Sequence, residues 1–157
     1  MTGTDRAPGC IFCQAADEDE AHASQAALVV HRADTAFVIL NLYPYNNGHL
    51  MVVPRRHIAS LAEARPDEVT ALMALTRLAE MALTEAYQPN GLNVGMNLGK
   101  AAGAGVADHL HIHLVPRWNG DTNFMTVVGD VRVLPEALGQ TVERLRPIFA
   151  HLAAAGV

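Results

Sequence analysis

A chain of 157 residues, half of them hydrophobic and 17% charged, is long enough for one domain with a real core and too apolar to be disordered. Its formal net charge of −5 excludes the broad basic field of a general nucleic-acid or membrane-surface binder, though not a local pocket for a small anion. No run is long enough to span a bilayer, no apolar signal core follows the first residues, and the two cysteines are no disulfide scaffold; a soluble cytoplasmic protein is expected.

Residues 1–9 are small and polar and read as a flexible tail, leaving 10–157 as a single domain. Cys10-Ile11-Phe12-Cys13 is followed by an acidic, Ala-rich segment whose Asp17-Glu18-Asp19-Glu20 reads as solvated surface. Leu28-Val29-Val30-His31 and Ala36-Phe37-Val38-Ile39-Leu40, split by Ala33-Asp34-Thr35, predict a hairpin. Tyr43-Pro44-Tyr45-Asn46-Asn47-Gly48 is a dense turn signal, and His49-Leu50-Met51-Val52-Val53 a third strand stopped by Pro54. These nearly continuous apolar runs predict a sheet with a helix over one face.

Pro66-Asp67-Glu68 opens a helix, with proline in the first turn and acids at the positive end of its dipole. Val69, Leu72, Met73, Thr76, Ala79, Leu83 and Ala86 recur at helical spacing and predict its buried stripe, which Pro89-Asn90-Gly91 ends. Leu92-Asn93-Val94-Gly95-Met96 reads as a fourth strand, residues 99–105 as a mobile glycine-rich loop, and a histidine-rich fifth strand follows. Beyond Asn119-Gly120-Asp121, residues 124–128 predict a short strand. Pro135 starts a helix carrying Leu138, Val142 and Leu145, which Pro147 kinks or ends. Met51, Met73, Met81 and Met96 read as core. The order predicts an α+β fold: an antiparallel sheet of about five strands, one long helix and a C-terminal helix.

The chemistry centres on His109-Leu110-His111-Ile112-His113-Leu114-Val115. On a strand, the three histidines share one face, looking into a cleft, and the aliphatics share the buried other. Three imidazoles could hold a metal with an open position. Alternatively, a neutral imidazole could attack phosphorus and hold a phosphoramidate, its other ring nitrogen donating to a carbonyl. The preceding loop, Gly99-Lys100-Ala101-Ala102-Gly103-Ala104-Gly105, favours the second reading, because glycines let backbone N–H groups approach phosphate. It is no Walker motif, since the four-residue gap is missing and Ala101 stands where Ser or Thr would bind magnesium. His49 reads as packed or hydrogen-bonded. Trp118 either stacks on a base or covers the core edge. Cys10 and Cys13 allow a redox couple, two incidental thiols, or half of a tetrahedral zinc site.

The motif His-φ-His-φ-His-φ-φ, with φ apolar, is the signature of the histidine-triad (HIT) family, which this chain resembles. The resemblance extends over Asn41 to Pro54 with His57, Asn93 to Gly99, and Pro116-Arg117-Trp118-Asn119-Gly120-Asp121-Thr122-Asn123-Phe124. It covers roughly residues 10–145 and is similar in detail to Fhit-like bacterial members that cleave diadenosine tetraphosphate. It implies that His111 is the nucleophile on an α-phosphorus and that His113 contacts the phosphate or the leaving oxygen. It further implies that Asn41 contacts ribose, Asn97 orients the phosphate, and backbone at Gly103 and Gly105 lines the phosphate site. Cys10, Cys13, His57 and His109 are implied to hold a structural zinc, with no organic cofactor. The implied partners are a dinucleoside polyphosphate or related nucleotide and a second copy of the chain. One departure stands out: where many members carry Ser or Gln shortly before the first triad histidine, this chain has Gly103-Ala104-Gly105-Val106. That leaves open hydrolysis, transfer to orthophosphate, or a nucleotide-binding module with weak activity.

Overall fold

The two apolar runs around Asp34 pair as predicted. β1 (Val29–Arg32) and β2 (Ala36–Leu40) are antiparallel, with an irregularity between Val29 and His31. The protein is described here from a computed structural model covering residues 7–17, 26–121 and 136–157. The strand expected at 124–128, the helix start at Pro135, the run after Asp17 and residues 1–6 of the expected tail lie outside the described residues.

β3 (Leu50–Pro54) pairs with β2 from Leu50 opposite Leu40 to Pro54 opposite Ala36. Pro54 is therefore the last rung of the strand rather than a stop before it. β4 (Gly91–Gly95) and β5 (Ile112–Arg117) complete an antiparallel sheet of order β1-β2-β3-β5-β4. Three α-helices are described: α1 (Ile11–Asp17), α2 (Pro66–Tyr87) and α3 (Leu138–Ala154). α2 packs on β2, β3 and β5, while α3 packs on α2 and β1. This is the expected α+β architecture. Every residue of β2 and β3 is buried, so both faces of the sheet's centre are covered, not one.

Pro66 occupies the first turn of α2, and the Glu68 carboxylate accepts the Arg65 N–H at 2.8 Å, satisfying a donor the helix leaves unpaired. Leu72, Thr76, Ala79 and Leu83 are buried as predicted. Val69 and Met73 are not: they are 37% and 57% exposed, so Met73 is no core residue. Leu75, Leu78 and Ala82 are buried instead. A helix packed against both a sheet and a second helix buries a wider face than one stripe. α3 runs through Pro147 to Ala154. Pro147 and Glu143, whose carbonyl loses its helical partner, are both exposed, so water can take the freed bond.

The histidine segment departs from a uniform strand. β5 begins at Ile112, so only His113 lies on it; His109 and His111 precede it in irregular backbone, with the Leu110 N–H donating to the Ile58 carbonyl at 2.6 Å. The aliphatic half of the prediction holds: Leu110, Ile112 and Leu114 are no more than 3% exposed.

Candidate active site and metal cluster

β5 lies between β3 and β4, with His113 opposite Met51 on one side and Gly95 on the other. That register brings the start of β5, with the triad, to the end of the sheet where the chain leaves β4 and β3 runs out at Pro54, whereas the β2–β3 turn lies towards the other end, its Asn46 donating to the Pro116 carbonyl at 3.1 Å. His109 and His111 are buried at 1% and 4% exposure, and His113 is half-buried. The row is thus mostly enclosed rather than displayed on an open cleft wall.

Hydrogen bonds fix the protons on these rings. His111 Nδ1 lies 2.8 Å from the His109 carbonyl. A carbonyl only accepts, so Nδ1 carries the proton and the neutral ring keeps a lone pair on Nε2. Burial pushes His111 below the usual imidazole range, against the opposing effect of that hydrogen bond. The Tyr45 N–H donates to His49 Nδ1 at 3.1 Å, so the proton of His49 sits on Nε2. That Nε2 lies 2.9 Å from His113 Nδ1 and donates to it. His113 then carries its own proton on Nε2. Burial, and next the neighbouring His111, push His113 down to about 4. Two adjacent imidazoles, with ring centroids 4.8 Å apart, therefore differ in kind: one offers a lone pair at Nε2, the other a donor.

His49 is packed and hydrogen-bonded, as read from the sequence, and is 1% exposed. Its bond to a triad member was not legible, because the two residues stand 64 positions apart. Its setting requires Gly48, whose φ is +74°; a Cβ there would lie 2.9 Å from Tyr87 and 3.1 Å from Leu83.

Asn41 follows β2 directly opposite His49, its N–H donating to the His49 carbonyl at 3.0 Å. Its side-chain oxygen accepts the Tyr43 N–H at 2.9 Å, and its carboxamide N–H groups have no partner among the described residues. Asn97 lies two residues beyond Gly95, the rung opposite His113. Its Nδ2 is 3.4 Å from the Gly103 carbonyl, so it tethers the glycine loop. Within that loop the Gly103 N–H is engaged by the Lys100 carbonyl at 3.0 Å, whereas the Gly105 N–H has no partner among the described residues. Lys100 is exposed. Trp118 lies edge-on to Tyr87, centroids 6.4 Å apart, which covers the core edge.

The other predicted set comes together from three elements. Cys10 precedes α1, Cys13 lies on it, His57 follows β3 and His109 precedes β5. Their four ligand atoms all lie within 4.8 Å of one another. Cys10 Sγ is 3.3 Å and Cys13 Sγ 3.7 Å from His109 Nδ1; His57 Nδ1 is 3.4 Å from Cys13 Sγ and 3.2 Å from His109 Nδ1. His109 Nε2 donates to the Pro54 carbonyl at 2.8 Å, which leaves Nδ1 as a lone pair facing the cluster. Burial holds His109 neutral, down to about 4. Two thiols and two imidazole nitrogens gathered at this spacing are a soft donor set of the kind that ligates zinc. A tetrahedral metal with bonds of about 2.3 Å to sulfur and about 2.0–2.1 Å to nitrogen sets its ligands roughly 3.3–3.8 Å apart. The donor set and spacing fit such an ion. They also exclude a three-imidazole centre on the triad, because His109 faces the cysteines.

Fold and site define a histidine-triad architecture, and the comparisons agree. The HIT domain matches residues 22–120, and the chain belongs to that family. It is 46% identical over 127 residues to the AP-4-A phosphorylase of Mycobacterium tuberculosis, covering 81% of this chain and 65% of that protein. It is 30% identical over 93 residues to the asymmetrical bis(5'-nucleosyl)-tetraphosphatase of Schizosaccharomyces pombe, covering 59% and 50%. Among solved structures, a zinc-bound histidine triad family protein from Mycobacterium smegmatis aligns with a TM-score of 0.73 at 28% identity, covering 94% of this chain and 97% of that one. The chain thus spans about two thirds of the M. tuberculosis relative's length and half of the S. pombe one's.

Proposed function

We propose that this protein cleaves dinucleoside polyphosphates such as diadenosine tetraphosphate, or related adenosine 5'-phosphate derivatives, through a nucleotidyl-histidine on His111. The observation that carries the proposal is the lone pair on His111 Nε2, fixed by the Nδ1 bond to the His109 carbonyl. Nε2 attacks the α-phosphorus, and the bond from phosphorus to the bridging oxygen breaks. The polyphosphate leaves as an anion, its departing oxygen accepting a hydrogen bond from the His113 Nε2–H. Water or orthophosphate then attacks the phosphorus, the P–N bond breaks to return neutral His111, and the proton of an attacking water passes to solvent. Asn41 donates to the ribose, Asn97 holds the glycine loop beside the phosphate, and the Gly105 N–H donates to a phosphate oxygen. Gly103 contributes by its turn rather than by its engaged N–H.

The cluster of Cys10, Cys13, His57 and His109 is proposed to hold a structural zinc, supported by its donor set and spacing. Zinc there would tie α1 to the triad segment; metal analysis of the purified protein finding no zinc would refute it. Two free thiols able to ligate zinc suit the reducing cytoplasm, where we place the protein. No helix of the described residues is long and apolar enough to cross a membrane. The substrate makes the protein's partner a nucleotide rather than a nucleic acid or a bilayer.

Transfer to orthophosphate is the second reading, favoured by the 46% identity to a phosphorylase. Product analysis with diadenosine tetraphosphate decides. AMP plus ATP marks hydrolysis, whereas ADP plus ATP appearing only with orthophosphate marks phosphorolysis. His111→Asn is expected to lose at least 100-fold in kcat. Unchanged turnover in that variant defeats the proposal, and tight nucleotide binding without turnover in the wild type would leave only a binding module.

A further inference from the structure

Phe12 has no part in the chemistry above, yet its place is singular. It is 2% exposed, and its ring lies 5.4 Å from His109 at an interplanar angle of 78° and 5.2 Å from His111 at 48°. Among the described aromatic contacts it is the phenyl ring that touches both the metal cluster and the proposed nucleophile. The Nδ1 bond to the His109 carbonyl sets the tautomer of His111 but leaves its ring able to swing about that bond. A packed aromatic face removes that freedom.

Phe12 is itself held from outside. α1 has seven residues, too few to be a stable helix alone. At its start, Cys10 and Cys13 converge on His109 and His57. At its end, Arg32 Nη1 donates to the Ala15 and Ala16 carbonyls at 2.9 and 3.1 Å, and Arg55 Nη1 donates to the Ala16 carbonyl at 2.9 Å. The arm is thus clamped at both ends, with Phe12 in sequence between the two sulfurs.

We propose that Phe12 is a positioning residue, a wedge by which the clamped metal-binding arm fixes the ring plane of His111 for in-line attack. The proposal rests on His111 as the nucleophile. A ring displaced by about 1 Å can cost up to about 100-fold in rate while leaving substrate binding intact. Phe12→Leu in the full-length protein is therefore expected to slow single-turnover cleavage of diadenosine tetraphosphate by about 10- to 100-fold. KM should stay within about twofold, zinc content should equal that of the wild type, and the ¹⁵N resonances of the His111 ring should shift or broaden. A kcat within about twofold of wild type overturns the proposal. So does a raised KM at unchanged kcat, which would make Phe12 a wall of the nucleoside pocket. Should Phe12→Leu fail to fold, Arg32→Gln loosens the far clamp without touching ring or sulfurs. The same kcat loss at constant KM is expected there, and full activity overturns the proposal. Failure of the nucleophile assignment shows separately, as absence of a nucleotidyl adduct on His111 in acid-labile-adduct mass spectrometry of the wild type.

Discussion

Four imidazoles, His49, His109, His111 and His113, sit within ring contact of one another or of Phe12, and each has a different proton placement or duty. The Tyr45 N–H begins a relay that ends at the proton on His113 Nε2. Removing the middle of that relay frees His113 to exchange its tautomers. His49→Leu keeps an apolar volume in a site that is 1% exposed but removes the donor to His113 Nδ1. It is expected to lower kcat by about 10- to 100-fold with KM little changed. Steady-state kinetics beside a melting curve checks this; a kcat within twofold of wild type at preserved stability counts against the relay. The triad was legible in the sequence as a spaced motif, and the cluster of Cys10, Cys13, His57 and His109 only through the family resemblance. His49 and Phe12 were not, because their roles arise from contacts across distant parts of the chain.

At the scale of elements, the start of α2 is fastened to the loop that carries His57. Glu68, 5% exposed, accepts from Arg56 Nε at 2.8 Å and Nη2 at 2.6 Å and from the Arg65 N–H. The Arg56 hydrogen bonds hold Glu68 at about 2, below its usual 4.5, with burial opposing. A carboxylate depressed in the folded state binds its proton more readily when the chain unfolds. Its contribution is therefore complete above about pH 5 and is lost as pH falls through 4.5 towards 2. After allowance for partial solvent screening, that is on the order of 2 kcal/mol. Thermal melts of wild type and Glu68→Gln should differ most near neutral pH and converge towards pH 3. A constant gap across that range removes Glu68 as the cause. The helix itself was legible from Pro66 and the apolar periodicity. Its width of burial was not, since Leu75, Leu78 and Ala82 answer to packing against α3 as well as the sheet. Likewise, Pro147 reads as a breaker until Leu145 and Phe149, both 0% exposed, anchor α3 on either side of it.

For the whole molecule, the two sheet edges are unequal. Among the described residues β1 pairs only with β2, and Arg146 of α3 reaches its start, donating to the Val29 carbonyl at 2.9 Å and to that of Ala27, just before the strand, at 3.2 Å. Among the described residues β4 pairs only with β5, and four of its five residues are exposed, Val94 at 50%. Leu98, just beyond it, is 45% exposed. An unprotected edge with apolar side chains beside it is a template for another strand, and a second copy of β4 is self-complementary about a two-fold axis. The homodimer expected from the family resemblance is predicted to form at this edge, which would join two sheets into one. Such a dimer would place both copies of the glycine loop near the interface, since Asn97, which tethers the loop, stands two residues beyond Gly95. Light scattering should give twice the chain mass for the wild type. Val94→Lys sets like charges against each other across the axis and should move the protein towards monomer at micromolar concentration, with an unchanged far-ultraviolet spectrum. A wild-type monomer, or a Val94→Lys dimer as stable as the wild type, would remove β4 as the interface.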